Sequence, residues 1–253
     1  MKIGLLMAGI NSGAIAEKYG EYEQQFIDMF ALVHTDDMPP LEWKIYNVWD
    51  GDLPKSAAEC DAYLISGSKY GVYDDDPWMQ GLAKFIREIV AANKRLTGVC
   101  FGHQIIAHAM GGEVVKVDKG FGIGWHDYKI MIPSAIVHLA RDYKFDLTLK
   151  TQFSVNISHA DQVVKLPDSA EIIASSEFCE IAGLYYPEGI LTFQGHPEFD
   201  NQFIKELIEF KWSNSQGWIT KTKIDDALSV NNLATDRLPI AKFMLNFMTE
   251  GHR

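Results

Sequence analysis

"TGVCFGHQ", residues 97–104, sets a cysteine between two glycines, Gly98 and Gly102, and follows it with a histidine and a glutamine. A strand that turns abruptly into a helix brings its two arms close together, and side chains at the flanking positions would collide. The spacing therefore predicts a strand over 96–99, a strained turn with an exposed sulfur at Cys100, and a helix running on to Gly111-Gly112. This is the logic of the nucleophile elbow, ordinarily written with serine at the apex. A helix N-terminus favours the thiolate, the reactive form of a thiol. Taken alone, the stretch also fits a buried apolar cysteine in a turn.

The residues upstream repeat the same alternation. Residues 2–7 form a short apolar strand ending in a glycine-containing loop. Over 15–33, Tyr22, Phe26, Met29, Phe30 and Val33 recur at helical spacing, and 41–48 alternates as a strand. Residues 62–66 are a short buried strand that runs into "GSKYGVYDDDP". Asp76 and Pro77 then open a helix whose apolar face is Leu82, Phe85, Ile86, Ile89 and Val90. Strand alternating with helix predicts an α/β fold: an open, mostly parallel sheet with helices on both faces. "GEVVKV", "WHDYKIMI" and "TQFSVNISHADQVV" read as strands and turns, which implies an antiparallel extension of that sheet. Residues 189–199 return to a buried strand and a glycine, and two helical stretches near 201–214 and 238–248 close the chain. No repeat or linker is visible, so 1–253 reads as a single domain with its core over about 1–200.

The chain of 253 residues carries a net charge of −11, which disfavours binding to nucleic acid or to an anionic membrane surface. No apolar run approaches a membrane span. "MKIGLLMAG" lacks the longer apolar core of a signal peptide. Three cysteines without metal-site spacing point to a reducing, cytoplasmic setting, with Cys60 and Cys179 as structural thiols. Cys179 lies between two glutamates, whose charge disfavours a second anion. The run Asp74-Asp75-Asp76 reads as helix capping rather than a metal site. Nothing calls for a cofactor.

A nucleophilic thiol needs a base. "GILTFQGHPEF", residues 189–199, places His196 just past the C-terminal end of a strand, on the side where open α/β sheets carry their crevice. Glu198 then stands two residues on, able to orient the imidazole. By itself "GHPE" fits equally a turn with a surface ion pair. Acyl chemistry also needs oxyanion donors. The N–H of Phe101 is one candidate, and the strand-end loop holding Gly67 and Ser68 is the other. His103 reads as a packing residue, and His34, His108, His126, His138 and His252 call for no special role.

"ISGSKYG", "GVCFGHQ", "SHADQV" and "FQGHPEF", in this order, resemble the class I glutamine amidotransferases, especially the glutaminase domain of GMP synthetase and its stand-alone relatives. The resemblance spans roughly residues 1–200. It implies a flavodoxin-like, mostly parallel sheet and a Cys-His-Glu triad at Cys100, His196 and Glu198. It further implies an oxyanion hole from Gly67 and the elbow backbone, and a site for the amino acid end of glutamine formed by Gln104 and the backbone near Ser158 and His159. The implied reaction releases ammonia through a γ-glutamyl thioester. Synthetases of the family append an acceptor-activating domain, whereas here about fifty residues follow Glu198. The expected partner is therefore glutamine or another γ-glutamyl small molecule, with a separate synthetase subunit or none. "GSKYGVYDDDPW" replaces the family's shorter glycine-glycine-proline loop beside the substrate, leaving glutamine and larger γ-glutamyl compounds both open. A non-catalytic regulatory or binding protein is the reading from another class, and the intact set of three residues argues against it.

Overall fold

Short apolar strands separated by amphipathic helices build parallel sheet, because each crossover needs about the length of a helix. The computed structural model describes residues 1–131, 151–214 and 219–250, and its first half follows this rule. β1 (Lys2–Leu6) leads through α1 (Gly13–Tyr19) and α2 (Tyr22–Val33) to β2 (Glu42–Tyr46). β3 (Ala62–Ile65) leads through α3 (Pro77–Ala91) to β4 (Arg95–Val99), which turns directly into α4 (Phe101–Ala109). Pro77 occupies the first turn of α3 after Asp76, although the Asp76 side chain makes no capping bond. Asp74 instead accepts from the Gly71 N–H, and Asp75 accepts from Gln80.

β5 (Glu113–Lys116), β6 (Gly122–Ile130), β7 (Gln152–His159), β8 (Asp161–Lys165), β9 (Glu171–Ser175), β10 (Gly183–Tyr186) and β11 (Ile190–Phe193) follow. The main sheet runs β2-β1-β3-β4-β11-β10-β9-β6-β7. Its pairs are parallel from β2 to β11 and antiparallel from β11 onward. The expected α/β sheet with an antiparallel extension is thus observed. "GEVVKV" departs from expectation: as β5 it leaves the main sheet and pairs with β8 in a separate two-stranded ribbon. Successive strand residues feed opposite faces. Ala62 and Leu64 join one core with Phe26, Phe30 and Met244, while Tyr63 and Ile65 join another with Phe85, Ile86 and Ile106.

The predicted helix over 15–33 is two helices. Gly20, at φ +68°, ends α1, and extended Glu21 starts α2 on a new axis. The C-terminus holds three helices rather than two: α5 (Asn201–Ser213), α6 (Lys221–Ser229) and α7 (Arg237–Thr249). α6 buries only Ile224 and Ala227, too few apolar positions to give a periodic signal. α7 packs against α2, whereas α3 and α4 pack together. The topology brings the C-terminal ends of β1, β3, β4 and β11 to one edge. The chain leaves β1 toward β2 and β3 toward β4, in opposite directions along the sheet, and such a switch point is where open α/β sheets form a crevice.

Candidate active site

Cys100 has φ +53° and ψ −104°, a backbone conformation that costs a non-glycine residue energy and aims its side chain off the end of β4. Its N–H donates to the Phe193 carbonyl at 2.9 Å, tying the apex to β11. The flanking glycines are required by contact. A Cβ on Gly98 would lie 2.7 Å from the Gly102 backbone, and one on Gly102 would lie 2.3 Å from the Ile65 carbonyl oxygen. So the second glycine admits neighbouring β3 rather than the other arm of its own turn. Cys100 is also 4% exposed, not the open thiol expected from sequence. Gly67 roofs it: a Cβ there would lie 3.7 Å from Cys100 Cβ and 2.9 Å from both His196 Cε1 and the Tyr22 hydroxyl.

The segment after β11 holds His196 firmly. The His196 N–H donates to the Asn156 carbonyl at 2.8 Å, and Asn156 Nδ2 donates to the Phe199 carbonyl at 3.0 Å. The imidazole stacks on Phe199 at 4.1 Å, 4° from parallel. Its Nδ1 hydrogen-bonds Glu198 Oε1 at 2.6 Å, and the Tyr22 hydroxyl donates to that same oxygen at 2.7 Å. With Nδ1 committed to Glu198, Nε2 is left for Cys100, which flanks Gly67 together with the ring. Burial opposes charge on the ring, but Glu198 and the Cys100 sulfur outweigh it and push His196 up to about 10. The fold thus brings Cys100, His196 and Glu198 together in sequence.

Two adjoining cavities surround this line. The larger, about 700 Å³, is walled by Cys100, Gln104, His159 and Asp161. The smaller, about 250 Å³, is walled by Tyr22, Trp49, His196, Phe199, Phe203 and Leu207. Ser68, Lys69, Tyr70, Ser158 and Lys211 face both. Gln104 Nε2 donates to the Asp161 carbonyl at 2.8 Å and to Gln194 Oε1 at 3.0 Å, so only its carbonyl oxygen remains available. Ser158 Oγ and His159 Nε2 are buried without a hydrogen-bond partner, the condition of groups that await a ligand. Burial pulls His159 down to about 3, so it is neutral near pH 7. Phe101 and Ser68 stand at the helix start and the β3 end, as expected. Gly67, a predicted oxyanion donor, lies at the site beside the His196 ring and the Tyr22 hydroxyl.

His103 lies outside the site. It is buried between Thr192 Oγ1 at 2.8 Å and the Ile181 carbonyl at 3.1 Å, and burial pulls it down to about 4. All three cysteines are free, and burial pushes Cys60 up and Cys179 up to about 12. For Cys179 the cause is burial, not the two flanking glutamates. Among the described residues no cluster of three or more His, Cys, Asp or Glu is placed to hold a metal. No helix among them is long and apolar enough to cross a membrane. His138 and His252 lie outside the described residues. Sequence reading missed Tyr22, Asn156, Trp49 and Lys211. Tyr22 is one more aromatic on an apolar helix face, and Lys211 one of several charges on α5, so neither carries a local signal.

A parallel α/β sheet with cysteine at a strand-to-helix elbow, and a histidine–carboxylate pair beyond the adjacent strand, defines a class of α/β proteins built around a candidate thiol nucleophile. This chain belongs to the glutamine amidotransferase class-I family, whose sequence model matches residues 40–212. Gamma-glutamyl peptidase 3 of Arabidopsis thaliana is 27% identical over 82% of this chain and 81% of its own. A glutamine-hydrolyzing GMP synthase subunit of Halobacterium salinarum is 28% identical over 60% of this chain and 79% of its own. The crystal structure of a glutamine amidotransferase from Thermotoga maritima shares the fold, with a TM-score of 0.69 at 19% identity over 99% of each chain.

Proposed function

We propose that the protein hydrolyses γ-glutamyl amides through a thioester on Cys100. The observation that carries this reading is the buried line from Cys100 to His196 to Glu198, closed by the 2.6 Å His196–Glu198 bond, at the mouth of two cavities. The Cys100 thiolate attacks the γ-carbonyl carbon, and the carbonyl oxygen takes up the negative charge. The N–H groups of Gly67, Ser68 and Phe101 are the donors that meet it. The C–N bond breaks as protonated His196 gives its proton to the leaving nitrogen. Neutral His196 then takes a proton from water, the hydroxide attacks the thioester carbon, and glutamate leaves as the thiolate reforms. Glu198 holds the imidazole tautomer throughout and, with Tyr22 on the same oxygen, fixes its angle. Gln104, Ser158 and His159 meet the amino acid end of the γ-glutamyl group, two of them through polar atoms that otherwise lack partners.

The names of the relatives support this chemistry and divide over the leaving group, ammonia for a glutamine hydrolase and an amine for a γ-glutamyl peptidase. We read the chain as one domain, because α5 and α7 bury Phe203, Ile204, Met244 and Phe247 in a core shared with β1 and β3. The free thiols suit a reducing, cytoplasmic setting. The test is glutamate release from glutamine and from γ-glutamyl dipeptides by the wild type and Cys100→Ala. Turnover of at least one compound is expected from the wild type, with a loss on the order of 10³-fold or more in the variant. Undiminished release by Cys100→Ala refutes the thiol mechanism. A separate synthetase subunit that uses the ammonia would show instead as glutamine turnover that rises when the subunit is added.

A further inference from the structure

The two cavities divide the reacting atoms between them. Cys100 walls the larger cavity and not the smaller, while His196 walls the smaller and not the larger. The acyl group bonds to sulfur and the leaving nitrogen takes its proton from imidazole. A substrate must therefore lie with its γ-glutamyl part in the Cys100 cavity and its leaving group in the His196 cavity. At about 250 Å³, the latter is several times the roughly 30 Å³ that a molecule of ammonia's size occupies. Beside polar Asn11, Ser12 and Lys69 it carries an aromatic and aliphatic stretch, Trp49, Phe199, Phe203 and Leu207, which gains nothing from ammonia. The indole N–H of Trp49 is buried there without a partner.

Two lysines stand at the junction, Lys69 exposed and Lys211 half-buried, and it is the half-buried one whose charge is held from water. Lys211, in the last turn of α5, faces both cavities. Its ammonium lies 5.0 Å from the centre of the Phe121 ring, and no carboxylate among the described residues pairs with it. Burial pulls its pKa down, so an anion brought by the substrate restores what the site withholds. In a γ-glutamyl dipeptide the α-carboxylate of the second residue sits two bonds from the scissile nitrogen, at the seam between the cavities. The α-carboxylate of the γ-glutamyl group lies four bonds beyond the scissile carbon, deep on the Cys100 side.

Building on the γ-glutamyl hydrolase reading, we propose that the substrates are γ-glutamyl dipeptides with an apolar second residue, whose side chain fills the His196 cavity and whose α-carboxylate pairs with Lys211. The experiment measures kcat/KM for γ-glutamylphenylalanine, its C-terminal amide, γ-glutamylaspartate and glutamine, with the wild type and Lys211→Met. The wild type is expected to favour γ-glutamylphenylalanine over its amide by on the order of tenfold to a hundredfold, the usual scale of a charge-assisted hydrogen bond. It is also expected to favour it over both γ-glutamylaspartate and glutamine. In Lys211→Met the acid-to-amide ratio falls to about one. Because the ratio is taken on one preparation, partial misfolding cancels. A ratio near one in the wild type, a ratio kept in Lys211→Met, or a preference for glutamine overturns this inference while leaving thioester chemistry standing. Failure to cleave any of the compounds overturns both.

Discussion

Cys100 keeps a positive φ in a chain where only two other non-glycine residues among those described, Asp75 and Asn93, do so, and it lies between hydrogen bonds that hold it there. The strain serves position, since it points the sulfur at His196 while the backbone N–H still joins β11. Glu198 and the Cys100 sulfur then govern His196, and the removal of one of them is readable. By NMR titration, the His196 ring is expected to stay protonated well above the ordinary 6.5, toward about 10. In Cys100→Ala one of the groups raising it is gone, so the midpoint falls; a midpoint that stays put would remove the sulfur from the ring's environment. Tyr22 acts through Glu198. Tyr22→Phe leaves the carboxylate with one fewer donor and is expected to lower kcat several-fold with little change in KM. A rise in KM alone would make Tyr22 a cavity wall only. Cys100, His196 and Glu198 are legible in sequence because each sits in a local pattern. Tyr22 is not, because its role depends on α2 meeting the segment after β11, 176 residues away.

At the scale of elements, the elbow works because β3, β4 and α4 approach more closely than side chains allow. Gly102 lies in α4, where alanine ordinarily gains about 1 kcal/mol over glycine. Here the added methyl meets the Ile65 carbonyl oxygen at 2.3 Å, so Gly102→Ala is expected to reverse the sign and cost a few kcal/mol. Urea unfolding measures it, and an unchanged or raised midpoint would show that the strand and helix are free to separate. The alternation of strands and helices through α4 is legible because apolar runs of four or five residues alternate with helical spacing. The break at Gly20 is not, since Tyr22 to Val33 keeps its period whether or not the helix extends back to Ile15. The departure of β5 into its own ribbon is set by pairing with β8, some fifty residues on, and no local pattern records it.

At the scale of the molecule, buried neutral histidines set the acid limit. His103 and His159 are pulled down to about 4 and about 3, while in the unfolded chain they titrate near 6.5. Between these values the unfolded state binds the extra protons, so stability is full above about 6.5 and falls as pH drops toward the folded values. At pH 5 each histidine costs on the order of 2 kcal/mol relative to neutral pH. His103→Asn, which cannot take up the proton, is expected to flatten that fall in urea unfolding at pH 7 and 5; an equally steep loss would move the acid sensitivity elsewhere. The layout of the whole is legible as an α/β sheet with an antiparallel extension. The division of the site into two cavities is not, since Trp49, Leu207 and Lys211 come from segments that carry no motif. The proposed chemistry stands or falls with a covalent intermediate on Cys100. Quenching the wild type with acid during turnover of a γ-glutamyl substrate, then mapping peptides by mass, is expected to find a γ-glutamyl group on the peptide that holds Cys100, and none on those with Cys60 or Cys179. Steady release of glutamate with no adduct at Cys100, or an adduct at either other cysteine, would contradict it.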